Sequence, residues 1–484
     1  MTEHTILVDQ LPGETRVALM DADDRLVELV VDRDEQASQV GRVYVGRVVA
    51  VRPAFEAAFV DLGEERDGFL ALPEARLQQT DEGGDNIGDH VNEGDAVVVQ
   101  VIRDPIEDKG PRLTRRPGLA GRYLVYGPGR PGVNVSRRIE DADERKRLRD
   151  AVMAALEDGE SVVARTAAEG ADADDLAAEV SRLRDAWNDL QAKAETTAAP
   201  ALLHRPPGTA ENTILDWAGM SIGRIVVGHG GLKVRLRTFL ADAARDLAGV
   251  LKAHTDQTPL FEAFGAEEEI EAALDPVVPL AGGGSLIIAE TAALTAIDVN
   301  VGRGAGSHPE RLALETNLEA MGAVARELRR RNIAGLVVID TVGMRDRSAG
   351  QKVVTRLKEA LADDPAMPNV GGLTRFGLVE LTRRRRHQPL AVVLGAAVAV
   401  GPRKSALTLA FDVLRRVPTE AKAARGRALA LHVAPSVAAA LDGPASAALA
   451  AAGDALGRSL IIVVEAGWPV ERAEIQPVDE TEEG

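Results

Sequence analysis

Leu294-Thr295-Ala296-Ile297-Asp298-Val299-Asn300 opens, and Gly335-Leu336-Val337-Val338-Ile339-Asp340 closes, the segment around which this 484-residue chain is organised. The first run is short and β-branched, with polar residues at alternate places. The second is a continuous apolar run that ends in a carboxylate. Both patterns predict strands. Between them Leu314, Leu318, Met321, Ala325 and Leu328 recur at intervals of three and four, the spacing of one helix face. Strand, helix, strand at this spacing is a βαβ unit, whose right-handed crossover sets the two strands parallel in one sheet. Asp298 and Asp340 then stand towards the carboxyl ends of their strands, where open α/β sheets place their sites. Asn300, two residues from Asp298, points to the same side. Two carboxylates and an amide oxygen converging in this way suit a hard cation. For Asp340 alone, a turn-capping carboxylate is an equal alternative. Its pairing with Asp298-Val299-Asn300 favours the metal.

A chain of this length exceeds one core, so three or more domains are expected. Hydrophobic content of 45% with 27% charged residues is that of a globular protein, and no window approaches a transmembrane span. Met1-Thr2-Glu3-His4 lacks the build of a secretory leader. With no cysteine there is neither a disulfide framework nor a thiolate metal site, and a cytoplasmic location without membrane attachment is expected. The net charge of −18 disfavours non-specific nucleic-acid binding. The cations are clustered, however: Arg326, Arg329, Arg330 and Arg331 precede the second Asp strand, and Arg375 and Arg383 to Arg386 follow it. That distribution leaves room for a locally basic groove.

Towards the N-terminus, residues 5–36 read as a β-meander. Five short strands with Gly turns between residues 40 and 115 suggest a small barrel of the oligonucleotide-binding type. The chain holds 3 Trp, 3 Tyr and 8 Phe, yet Tyr44, Phe55, Phe59 and Phe69 all fall in this one segment. Such rings either stack bases or fill the barrel, and both readings stay open here. Beyond Gly118 a strand is expected over residues 120–126, helices over 139–156 and 174–193, and a strand over 160–166. Residues 198–207 have linker character. The glycines of Gly228-His229-Gly230-Gly231 lack the Lys-Ser/Thr ending of a phosphate loop and read as a turn. A strand over 375–381, a loose connector over 387–404 and a small α/β domain over 406–475 follow.

Several ordered motifs resemble the ribonuclease E/G family of bacterial endoribonucleases. They are Glu56-Ala57-Ala58-Phe59-Val60-Asp61, Gly68-Phe69-Leu70, Leu119-Ala120-Gly121, Ser136-Arg137-Arg138-Ile139-Glu140 and Arg165-Thr166-Ala167, then the two strands quoted first, Thr316-Asn317-Leu318-Glu319-Ala320 and Arg375-Phe376-Gly377-Leu378. The resemblance implies a multidomain α/β and α+β protein. An RNase H-like portion would comprise residues 1–38 and 200–277, interrupted by an S1 (OB-type) RNA-binding barrel at 39–116 and a 5′-sensor segment at 117–199. A DNase I-like catalytic subdomain at 278–388, a connector at 389–405, a small α/β domain at 406–476 and an acidic tail at 477–484 complete it. By the same resemblance Asp298 and Asp340 hold one Mg²⁺, and Asn300 completes the catalytic set. Phe59, Phe69 and Lys109 line an RNA channel, with Arg375 and Arg383 as candidate backbone contacts. Gly121, Val125, Arg165 and Thr166 form a pocket for a 5′-monophosphate.

The implied activity is Mg²⁺-dependent endonucleolytic hydrolysis of single-stranded RNA, rRNA precursor or mRNA, to 3′-hydroxyl and 5′-phosphate ends. The alternative is an RNA-binding paralogue that cuts poorly. The acidic net charge, the absent zinc link and two altered loops motivate it: Thr341-Val342-Gly343-Met344 lacks an acidic residue common there, and the loop from Val301 to Gly306 is short. The cysteine pair through which some members share zinc between protomers is absent, so no zinc is expected, and a homodimer would need another contact.

Overall fold

The computed structural model describes residues 3–33, 38–77, 84–105, 109–127, 131–291, 293–302, 308–396, 403–424 and 427–478. It is a mixed α/β structure that divides into two compact units. One unit comprises Met1–Glu35, Gly223–Lys233 and Lys252–Gly484, and the other comprises Gln36–Ile222 and Val234–Leu251.

In the first unit the expected βαβ segment forms as Thr295–Asn300, a helix over Pro309–Arg330, and Gly335–Asp340. The two strands pair in parallel, with Asp298 opposite Asp340. They lie in the middle of a six-stranded sheet. Val277–Pro279 and Ser285–Glu290 extend it on one side, and Leu378–Arg383 and Asn369–Leu373 on the other. Every other pairing in this sheet is antiparallel. One face packs against the helices: Ile297, Val299, Val337, Ile339, Val379 and Leu381 join Met321, Val324, Leu328, Val353 and Leu357 in one core. The other face is open.

The N-terminal meander His4–Leu11, Glu14–Met20 and Leu26–Arg33 shares a second sheet with Ile222–Val227 and Leu251–Ala253. At the C-terminal end, strands Leu460–Val464, Ala428–Val433 and Ala473–Val478 form a three-stranded sheet packed on a helix over Ala406–Ala423. The last strand includes Pro477 and Val478, which the sequence assigns to the tail; residues 479–484 lie outside the described residues.

In the second unit, Val43–Arg52, Ala57–Asp61, Gly68–Ala71, Arg112–Thr114 and Ala96–Arg103 close into a five-stranded barrel through a pairing of the first strand with the last. That is consistent with an S1-type fold. Gly46 is required in its first strand, because a Cβ there would run into Val60.

Several expectations need correction. The stretch 120–126 is not one strand. It is a hairpin, Leu119–Ala120 against Leu124–Tyr126, bent at Gly121. The presumed linker 198–207 contains a strand, Ala201–His204, that joins the barrel sheet beside Val43–Val45. The strand expected over 375–381 begins only at Leu378, leaving Arg375 and Phe376 in the turn before it. Within the connector, Leu390–Leu394 is a short helix that buries Leu390, Val393 and Leu394; residues 397–402 lie outside the described residues.

Candidate active site

Strand alternation builds the site. On Thr295–Asn300, residues 295, 297 and 299 are buried, so Ala296, Asp298 and Asn300 emerge on the open face. On Gly335–Asp340 the same parity buries Val337 and Ile339 and exposes Asp340. Asp298 and Asp340 are register partners in adjacent parallel strands, which sets their backbones about 5 Å apart. The Asn300 amide donates to Asp298 Oδ2 at 2.9 Å. Among the described residues, neither Asp298 nor Asp340 has a cationic partner. Like charges directly opposite each other on a sheet destabilise it unless a counter-ion intervenes. Two unpaired carboxylates beside one amide oxygen therefore fit an oxygen-seeking divalent ion that keeps part of its water shell. Among the described residues, no three His, Cys, Asp or Glu side chains form a complete protein cage. Few protein ligands and several waters are what Mg²⁺ accepts.

Two residues not singled out from the sequence hold the chain that leaves Asp340. Asn317, fully buried on the helix Pro309–Arg330, donates to Val342 O and accepts from Val342 N, both at 2.9 Å. Thr341 Oγ1 donates to Gly377 O at 2.7 Å, and the Thr341 N–H reaches the same oxygen at 3.3 Å. The backbone after Asp340 is thus clamped from both sides. An amide among the alanines of a buried helix face was the available clue to Asn317. Of the loop after Asn300, residues 303–306 lie outside the described residues.

Many arginines of these segments are committed to ion pairs within the fold. Arg383 is 5% exposed and lies on the core face of its strand with Val379 and Leu381. Its guanidinium holds Asp364 at 2.7 and 3.1 Å and donates to Ile333 O at 2.8 Å. It is therefore withdrawn from the RNA-channel assignment. Arg330 and Arg331 both pair with the fully buried Glu327 at 2.7 Å. Arg329 reaches Glu28 at 3.2 Å, and Arg386 reaches the same carboxylate at 3.8 Å. Arg384 and Arg385 remain exposed. Arg375 lies in the solvent-facing turn, its guanidinium 4.7 Å from the Phe376 ring centre.

On the barrel the aromatics divide. Tyr44 is buried and donates to Glu64 at 2.9 Å, so it fills the core. Phe59 and Phe69, register partners on adjacent strands, emerge half-buried on the outer wall in an edge-to-face pair with centres 5.8 Å apart. Arg112, missed in the sequence, lies over Phe69 at 5.9 Å. Lys109 is exposed close by in sequence.

In the same unit the hairpin at Gly121 shapes the expected phosphate pocket. Arg165 Nη1 donates to Gly121 O at 2.6 Å, and its Nη2 is paired with Asp216. Thr166 Oγ1 lies 3.0 Å from Ser136 Oγ, and Val125 is half-buried on the hairpin strand. Gly121 and Arg165 are in direct contact, whereas Thr166 turns to Ser136. A Cβ at position 121 would strike the carboxylate of Glu179, which accepts from Tyr123 N at 2.9 Å. Burial raises the Glu179 carboxyl above the ordinary carboxylate range.

The sequence pattern of the Ribonuclease E/G family matches residues 118–386, a span that contains the strands of Asp298 and Asp340 and the Gly121–Arg165 contact. Ribonuclease G of Salmonella typhimurium is 32% identical over 473 residues, which is 95% of this chain and 96% of that one. The chain belongs to the ribonuclease E/G family. Ribonuclease E of a Nostoc species is 37% identical over 84% of this chain and 60% of its own length. For ribonuclease E of Escherichia coli K12 the figures are 35%, 84% and 40%. Both ribonuclease E proteins thus continue well beyond the shared region. No described helix of this family member is long and apolar enough to cross a membrane.

Proposed function

We propose that the chain is a Mg²⁺-dependent endoribonuclease that cuts single-stranded RNA, leaving 3′-hydroxyl and 5′-phosphate ends, in the cytoplasmic maturation of rRNA or decay of mRNA. The observation that carries this is the register pair Asp298 and Asp340, side by side on the open face of a sheet whose other face is core, with no cationic partner among the described residues. These two carboxylates would hold the ion, whose chemistry when bound is to activate water and neutralise charge on the phosphate. Asn300, fixed by its bond to Asp298, presents an amide to orient the scissile phosphate. The clamp of Asn317 and Thr341 keeps Asp340 in register with Asp298. Phe59 and Phe69 on the barrel wall supply sequence-tolerant stacking for RNA bases, with Lys109 beside them for phosphate. A 5′-monophosphate would compete with Asp216 for the Arg165 fork, and the guanidinium can take two phosphate oxygens.

The test incubates the full chain with 5′-monophosphorylated and 5′-triphosphorylated oligoribonucleotides and the matching DNA, with Mg²⁺ or chelator. Cleavage of RNA only with Mg²⁺, and fastest on the monophosphate, is expected. Arg165→Ala should level the two RNA rates. Binding without cutting would establish the non-cleaving paralogue instead.

A further inference from the structure

We infer that Phe376 is a base-stacking platform for a nucleotide flanking the scissile phosphate, an assignment that rests on the metal-site reading above. Its ring is 72% exposed, one of the two most exposed phenylalanines among the described residues. An isolated exposed ring needs no explanation. This one, however, is rigidly mounted beside the reacting centre. It sits in a turn closed by the Gly377 N–H to Thr374 O bond at 3.1 Å and the Thr374 N–H to Leu378 O bond at 2.8 Å. Thr374 Oγ1 also accepts from Phe376 N at 3.3 Å and from Leu378 N at 3.1 Å. Gly377, at φ +84°, supplies the left-handed residue this turn requires. Its carbonyl oxygen is the one clamped by Thr341, the residue after Asp340.

The register fixes the distance scale. Leu378 pairs with Asp340, so Phe376 stands one strand over and two residues beyond the metal carboxylate. At ~4.8 Å between strands and ~3.4 Å per residue, that offset is on the order of 8 Å, the reach of a base from an adjacent phosphate. Arg375, with its guanidinium 4.7 Å from the ring centre, adds a cation next to the stacked base and its backbone. A π-face accepts any base, so the platform fixes the position of the nucleotide without dictating its identity.

The experiment scans one position at a time along a single-stranded oligoribonucleotide bound to the full chain. In chelator, 2-aminopurine replaces each base and its emission is read. In Mg²⁺, an abasic ribose replaces each base and cleavage is read. The expected result is one position at which emission drops and base removal slows cleavage about tenfold. Phe376→Ala should lose both effects at that position, and Phe376→Trp should retain them. An unchanged positional profile in Phe376→Ala would overturn the assignment, as would an equal loss on intact and abasic substrates. Failure of the metal reading would appear separately, as cleavage that survives Asp298→Asn, and leaves the emission scan untouched.

Discussion

The two faces of one sheet handle charge in opposite ways. On the open face, Asp298 and Asp340 stand next to each other with no cationic partner among the described residues. On the core face of the same sheet, Arg383 is buried against Asp364, with a third bond to Ile333 O, and Glu327 lies between Arg330 and Arg331. A buried charge must be matched inside the protein, because water is not there to solvate it. An exposed pair of like charges is tolerated because an ion and water can complete it. The difference teaches that arginines within one basic run can divide, Arg383 serving the scaffold while Arg384 and Arg385 stay exposed, and that the candidate site residues are ones the fold leaves unmatched.

Substitutions on the open face should break catalysis and spare the fold. Asp298→Asn or Asp340→Asn should lower cleavage about 10²- to 10³-fold, with RNA retention on filters unchanged. A core-face substitution should do the reverse. Arg383→Ala leaves Asp364 charged and buried, so unfolding in urea should show a loss of about 3–5 kcal/mol, with the rate per folded molecule preserved. If that variant instead folds normally and binds RNA weakly, the contrast between the faces collapses. Asn317→Ala joins the two behaviours, since it releases two hydrogen bonds that carry Val342. It should cost about 1–3 kcal/mol in the same urea titration and lower kcat more than it raises KM.

The smallest effect is expected in the other unit, at Glu160. Hydrogen bonding from Arg184 holds its carboxyl down at about 2, against an ordinary 4.5, with Tyr126 and the Glu157 N–H adding to the effect. A depressed carboxyl contributes stability above its unfolded pKa and loses it as pH falls through the folded value. Between pH 4.5 and 2 the wild type should therefore lose stability faster than Glu160→Gln, whose denaturation curves should be flatter in that window.

Much of this was legible in the chain before any tertiary information. Strand parity around Asp298 and the three-and-four spacing on the following helix were enough to bring Asp298, Asn300 and Asp340 to one side. The same parity, carried along Val379, Leu381 and Arg383, already turns Arg383 inward. The charge run alone points to a channel contact, but the burial of Arg383 follows the alternation. Period-two geometry is local, so it can be read without knowing the partners.

What the sequence by itself determined, then, is the order of the elements, the faces of the central strands and membership in the ribonuclease E/G family. The tertiary structure alone decided which charges are matched and which side chains share a pocket. Glu327 finds its arginines one helical turn away, but Arg383 finds Asp364 nineteen residues earlier and Arg165 finds Asp216 fifty-one residues later. Such pairings depend on where the backbone returns, and so do the bend at Gly121 against Glu179 and the turn that presents Phe376. No local propensity encodes them, because each is fixed by packing between segments distant in sequence.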